Sequence, residues 1–324
     1  MRRWASAGVA VLLATVIGVL APAPGPTGAA GLEPVTFMLD WFPNPDHVPL
    51  YAALGEGYFS QADLRVTLQV PANADDPLKL AAVGRADIAV SYEPSVVMAR
   101  AQGLPVKSIG ILVGQPLTTI MFLKRSGIRT PRDLAGRRVG FAVTGYEDAL
   151  VDQIVRSDGG TPSDIKMINV GFDLVPGLLS YKVDAVVGAY RNVERVQIEM
   201  QGQAVGMFEP ERYGVPTFYE LVLIARDHEI ASRRPVLQRF VAAVARGLAF
   251  TETHPQAAFR DYTRLNPTLN DTFNQRSFQA TLPYYAGGQT QSAANWEAFS
   301  QWMASHKVIT TPVAAHDLFV NLMP

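Results

Sequence analysis

The chain has 324 residues, with 28 Lys or Arg against 29 Asp or Glu, so its formal net charge is -1, and it contains no cysteine. A near-neutral balance without a basic run or a basic-aromatic stripe argues against nucleic acid as a partner. The lack of cysteine excludes disulfides, thiolate metal sites, cysteine nucleophiles and a lipid-modified cysteine anchor.

Arg2 and Arg3 precede an apolar stretch, residues 9–21, and a Pro/Gly/Ala-rich segment that runs to Ala30. This is the layout of a secretory signal. The apolar core of about 13 residues is shorter than the roughly 20 needed to span a bilayer, so cleavage near Ala30 is expected rather than a permanent anchor. Residues 1–30 are therefore read as a signal peptide, and the mature chain as a soluble periplasmic protein without a lipid anchor. Its length suits about two domains of ~150 residues each.

Residues 35–39 read as a buried strand, and a helical pattern starting at Tyr51 stops at Gly57. Between them lies a proline-stiffened loop that carries Trp41, Asn44 and His47. In open α/β sheets ligands settle beyond the carboxyl ends of strands, so this loop is a binding-site candidate. The plainer reading gives Trp41 to the core, Pro43 and Pro45 to a turn, and His47 to the helix start.

Further strands are expected at 66–70, 88–90, 109–113, 139–143, 185–187 and 221–225, with helical patterns at 78–83, 96–102, 147–157 and 175–181. Such alternation predicts α/β architecture with parallel strands. From Pro235 the chain turns mostly helical. Leu237, Phe240, Val241, Val244 and Leu248 form an apolar stripe in a helix expected to end near His254 and Pro255.

One pattern occurs twice: Gly84-Arg85-Ala86-Asp87-Ile88-Ala89-Val90, followed by Tyr92 and Glu93, and Tyr181-Lys182-Val183-Asp184-Ala185-Val186-Val187, followed by Tyr190 and Glu194. Two similar lobes would produce it. They are expected as 31–120 with a return at 218–324, and as 121–217, with crossings near 118–123 and 219–225 and a ligand cleft between them.

Enzymatic motifs are sparse: there is no H-E-x-x-H, no G-x-S-x-G, no phosphate-cradling loop and no dinucleotide fingerprint. The histidines do not cluster, so no metal site and no catalytic residue is predicted. The expected cleft instead collects aromatic faces (Trp41, Tyr92, Tyr146, Tyr190, Tyr213, Tyr219) beside Asn44, Glu93, Asn192 and Glu194. Flat heterocycles are held by ring stacking and by a carboxylate that accepts amino N–H bonds. The turn at 140–146, with Thr144 and Gly145, is the one loop that could serve an anion, although such turns also arise for backbone reasons alone.

With LDWFPNPDHVPLY, GEGYF, GRADIAVSYEP, ARAQGLPV, NVGFDLVPGLLSYKVDAVVGAY and YGVPTFYELVL in hand, the chain resembles the solute-binding proteins of thiamine-precursor ABC importers. That group is also linked by sequence to the fungal pyrimidine synthases. The resemblance implies a two-lobed type II periplasmic-binding-protein fold, α/β, with two mixed sheets flanked by helices. It implies a ligand such as formylaminopyrimidine, ABC permease subunits as partners, a monomer, and neither cofactor nor catalysis. It carries Trp41, Asn44, His47, Tyr92, Glu93, Tyr190 and Glu194 into the site, with Tyr219 and Thr144 at positions around which the family varies, while Gly145 and Asn192 are candidates from the turn and the cleft's polar groups.

Departures from the enzymes count against catalysis. Their cofactor-bearing lysine would fall at about Ser91, their iron-associated histidine at about Ser95, and their cysteine-rich motif at 215–219, where this chain has none. Related binding proteins take flavin-like molecules, sulfonates or nitrate, and these ligands are the alternatives. Arg191 could add a cation beside the site.

Overall fold

The computed structural model describes residues 31–323, so the expected signal peptide lies outside the described residues. Ten strands form two five-stranded sheets. The first holds β1 (Glu33–Met38), β2 (Leu64–Gln69), β3 (Ile88–Ser91), β4 (Val106–Val113) and β10 (Leu221–Arg226) in the order β2-β1-β3-β10-β4. The second holds β5 (Thr118–Leu123), β6 (Arg138–Phe141), β7 (Lys166–Asn169), β8 (Ala185–Tyr190) and β9 (Val205–Phe208) in the order β7-β6-β8-β5-β9.

The two orders are the same arrangement. In each sheet the three leading strands run parallel, and the fourth position is taken by an antiparallel strand, β10 against β3 and β4 and β5 against β8 and β9. The repeated sequence pattern maps onto this geometry. Asp87, just ahead of β3, accepts the Thr36 amide of β1 at 2.7 Å, and Asp184, just ahead of β8, accepts the Arg138 amide of β6 at 2.9 Å. In both lobes an aspartate fastens the incoming strand to its neighbour.

The central strands are buried on both faces and read as continuous apolar runs, as strands covered by helices on both sides do. Edge strands β7 and β9 are four residues each and mostly half-exposed, and neither is among the strands expected from the sequence. The long helix Arg234–Thr253 buries Leu237, Phe240, Val241, Val244 and Leu248, and its last turn meets His254 and Pro255. Phe240 stacks on Phe59 and packs against Phe37 of β1, so its stripe serves the first sheet's core.

The crossings differ from the sequence expectation in place. β5 and β10 are full members of opposite sheets, and the chain passes between the sheets just before each. Glu220, fully buried, ties the two passages together by accepting the amides of Leu117 and Thr118 at 2.5 and 2.8 Å and the Thr118 hydroxyl at 2.8 Å.

Candidate functional site

The carboxyl ends of β1, β3, β6 and β8 converge on a cavity lined from both sheets, with Asp40, Trp41, Asn44 and Tyr92 on one side and Tyr146, Glu147, Gly188, Tyr190 and Glu194 on the other. Thr118, Ala142, Val143, Leu174 and Val193 complete its wall. A cavity at strand ends between two sheets is where α/β folds seat small ligands. No lysine, arginine or histidine lines it, among the described residues.

The loop after β1 builds the first wall. Asn44 caps the short turn Pro45–His47 by accepting the Asp46 amide at 2.8 Å, which holds the loop open across the strand end. His47 sits behind this wall, fully buried. Its Nδ1 accepts the Asn44 amide at 3.3 Å, which leaves Nε2 to carry the proton shared with Asp40 at 2.8 Å. The other oxygen of Asp40 accepts the Tyr92 hydroxyl at 3.1 Å. His47 thus positions Asp40, and Asp40 is the residue of this pair at the cavity.

The second wall is made acidic in a particular way. Glu147, at the first turn of the helix Glu147–Ser157, accepts the amides of Ala142 and Val143 at 3.1 and 3.3 Å. Glu194, starting the helix Glu194–Met200, accepts the Tyr190 amide at 2.7 Å. The loop read as a possible anion site therefore spends its amides on the chain's own carboxylate. Gly188 makes room for this: at φ +85° it lies so close to Glu147 that any side-chain carbon there would collide with the carboxyl group.

Burial raises the pKa of Glu147, Glu194 and Glu220, because a carboxylate withdrawn from water loses its hydration. Glu194 is pushed up to about 7, partly offset by the Tyr190 amide. Glu147 and Glu220 are raised for the same cause, partly offset by the backbone amides they accept. Burial likewise raises the hydroxyls of Tyr92, Tyr146 and Tyr190, with the nearby acids adding to the shift.

Several sequence candidates stand elsewhere. Glu93 is fully buried and lines no described cavity. It accepts the Tyr219 amide at 2.7 Å and the Asn295 side chain at 2.9 Å, and burial pushes its pKa up to about 8. Tyr219 turns its hydroxyl to the Ser292 amide and its ring toward Trp296. Asn192 is buried between Asp46 and Thr281. Arg191 bonds Glu211 at 2.8 and 3.2 Å and stays off the cavity wall.

Thr144 and Gly145 line an adjoining cavity that shares Asp40, Tyr92 and Val143 with the first and also includes Ser91, Ser95 and Lys79. Thr144 donates its amide and hydroxyl to Asp75 at 3.1 and 2.8 Å, a bond from the second sheet's side to the first. Phe172 makes another bridge, set edge-on to Trp41 at 4.3 Å and tilted against Phe42 at 4.8 Å. The lobes are closed over the cavity.

Sequence reasoning passed over Asp40, Glu147, Thr118 and Phe172. Asp40 directly precedes Trp41, and Glu147 opens a helix after a glycine turn. Those positions were the available signals. The adjoining cavity tests the cofactor that the enzyme resemblance brings to mind: Ser91 offers no amine for an imine, and Lys79, two-thirds exposed, pairs with Asp75 at 3.6 Å. Among the described residues no group of three or more His, Cys, Asp and Glu is placed to hold a metal ion. The residues present do not fit either group.

A family model described as NMT1/THI5 like matches residues 44–258. A Haemophilus influenzae protein named for thiamine biosynthesis is 34% identical over 292 residues, covering 90% of this chain and 92% of its own length. The formylaminopyrimidine-binding protein of Halalkalibacterium halodurans is 33% identical over 303 residues, covering 90% and 91%. A 4-amino-5-hydroxymethyl-2-methylpyrimidine phosphate synthase of Legionella pneumophila is 28% identical, covering 85% and 87%. Among solved structures, the alkanesulfonate-binding protein SsuA of Xanthomonas axonopodis superposes with a TM-score of 0.73 at 15% identity, over 90% of this chain and 100% of that one. The fold is that of periplasmic binding proteins, and the chain belongs to the NMT1/THI5-like family.

Proposed function

We propose that this chain is the periplasmic receptor of an ABC importer and that its closed cavity holds a thiamine-precursor pyrimidine such as formylaminopyrimidine. The observation that carries this reading is the cavity's polarity. Glu147 and Glu194 occupy loop amides that an anion would need, while Asp40, Glu147 and Glu194 present acceptors with no cation among the lining residues. An aminopyrimidine supplies the matching N–H donors and a flat ring for Trp41, Tyr92 and Tyr190. The formylaminopyrimidine-binding relative, a third identical along nine-tenths of the chain, supports the same ligand.

In this reading Glu194 accepts the amino edge, Asn44 bonds a polar substituent, and His47 acts through Asp40 rather than on the ligand. The lobes divide just before β5 and just before β10, and ligand contacts to both favour closure. The protein works as a monomer that delivers its ligand to permease subunits. It performs no chemistry, a reading supported by Ser91 and Ser95 at the adjoining cavity.

Calorimetry of the mature protein should show formylaminopyrimidine binding and no response to an alkanesulfonate. A failure to bind formylaminopyrimidine or its aminomethyl analogue would remove the ligand assignment. The enzyme reading predicts pyridoxal absorbance or iron in the purified protein, and we expect neither.

A further inference from the structure

Asp46 and Asn192 meet where the two lobes close. Asp46 lies in the turn Pro45–His47 after β1, and Asn192 lies just past β8 of the other sheet. Asp46 is fully buried and Asn192 is 1% exposed. The Asn192 amide nitrogen donates to Asp46 Oδ1 at 2.6 Å and to the Thr281 hydroxyl at 2.7 Å. Thr281 passes its own proton to the Ser277 carbonyl at 2.8 Å, which fixes the orientation of the Asn192 amide. The Ser277 hydroxyl in turn donates to the backbone carbonyl of Asn192 at 2.8 Å.

Two polar atoms of this pair have no partner: Asp46 Oδ2 and Asn192 Oδ1. Both are acceptors when Asp46 is ionised, so each would be stranded, and a buried polar group without a bond is destabilising. One proton on Asp46 Oδ2 resolves both, because that oxygen becomes a donor to Asn192 Oδ1 while Oδ1 still accepts from the amide nitrogen. This is the double hydrogen bond of a carboxylic acid set beside a carboxamide.

We infer that Asp46 carries a proton in the folded molecule and joins Asn192 in a cyclic acid–amide pair. The inference rests on the two-lobed closure proposed above and not on the identity of the ligand. Surrounding groups favour it. Asp40 on the same loop, Glu194 on the second lobe and Glu220 at the crossing are all acids, and Tyr262 and Tyr285 are phenols, so no cation is found among the groups that act on Asp46. His47 is engaged by Asp40, Arg191 by Glu211, and Arg264 by Asp261, while Arg276 on the helix packed against this turn is exposed. Burial, the largest cause, raises Asp46 well above its ordinary value, and the Asn192 bond only partly opposes it.

Asp46→Asn supplies the test, since a carboxamide copies the protonated acid: its nitrogen donates to Asn192 Oδ1 and its oxygen accepts from Asn192. Thermal unfolding of the full chain without ligand, between about pH 5 and 8, reads the pair directly. A carboxyl whose folded pKa is raised contributes stability that is complete below its unfolded pKa and is lost as pH rises through the folded one. Wild type should therefore lose Tm relative to Asp46→Asn steadily as pH rises. A difference that does not change with pH, a variant less stable throughout, or a variant that fails to fold overturns the inference.

Binding of formylaminopyrimidine is measured separately by calorimetry. If the pyrimidine does not bind, the ligand assignment fails, and the unfolding series still decides the state of Asp46.

Discussion

The strand ends at Tyr92–Glu93 and at Tyr190–Glu194 come from the same sequence pattern and the same place in equivalent sheets, yet they are put to different uses. Both tyrosines reach the cavity wall, and both glutamates open a helix and accept a backbone amide. Glu194 accepts the amide of its own strand's last residue and lines the cavity. Glu93 accepts the amide of Tyr219, which comes from the distant crossing, and Asn295 closes over it from the carboxyl-terminal helices. The difference teaches that a repeated fold can convert one of two equivalent acids into a structural clamp by laying extra chain across it.

Substitutions at the two glutamates should separate along this line. Glu194→Ala removes the acceptor assigned to the ligand's amino edge, and a hydrogen bond to a charged group is worth about 1.5–3 kcal/mol, so affinity for formylaminopyrimidine should fall by roughly 10- to 150-fold. Glu93→Ala should leave that affinity nearly unchanged while lowering folding stability by about 1–3 kcal/mol, because the Tyr219 amide loses its buried partner. Calorimetric titration and denaturant unfolding of both variants distinguish the roles. Equal effects on binding would erase the contrast.

A smaller effect is expected at Gly188→Ala. The new methyl group occupies the space of the Glu147 carboxyl and strains a left-handed residue, so binding should weaken by about 10-fold, equivalent to ~1.4 kcal/mol. Phe172→Ala removes the edge contact on Trp41, worth about 0.5–1.5 kcal/mol, and should weaken binding by roughly 2- to 10-fold. The change should appear as faster release measured by stopped-flow Trp fluorescence.

Stability against pH sharpens the comparison further. The folded pKa values of Glu93 and Glu194 are raised, to about 8 and about 7, so each contributes stability that is complete below about pH 4.5 and lost as pH rises through its folded value. Glu194→Gln should flatten the decline up to about pH 7, and Glu93→Gln should flatten it as far as about pH 8. Urea unfolding at a series of pH values measures both windows.

Much of the scaffold is legible in the sequence because central strands covered on both faces must be apolar. β3, β8 and β10 announce themselves in this way, and the apolar stretch read as a crossing at 118–123 is β5. β7 and β9 lie at the sheet edges, four residues each and mostly half-exposed, and are not among the strands expected from the sequence. The site is legible to the extent that it depends on chain position. Trp41, Asn44, Tyr92, Tyr190 and Glu194 follow strands directly and line one cavity. What position alone does not reveal is the partner that a side chain finds. His47 is drawn behind Asp40, Asn192 to Asp46, and Tyr219 to Ser292, each by a hydrogen bond to residues far away in the sequence or on another face of the loop. Glu147 was hidden for the opposite reason: its amide partners are near neighbours, but a glycine turn before a helix reads as an anion site, and the anion proves to be the chain's own.

If the acidic, cation-free cavity selects an amino-bearing heterocycle over an anion, competitive calorimetry of the mature protein with formylaminopyrimidine and an alkanesulfonate will give a one-to-one pyrimidine complex. The sulfonate will not displace it, and Glu194→Ala will weaken it. Saturable sulfonate binding, or pyrimidine binding unaffected by Glu194→Ala, overturns that selectivity.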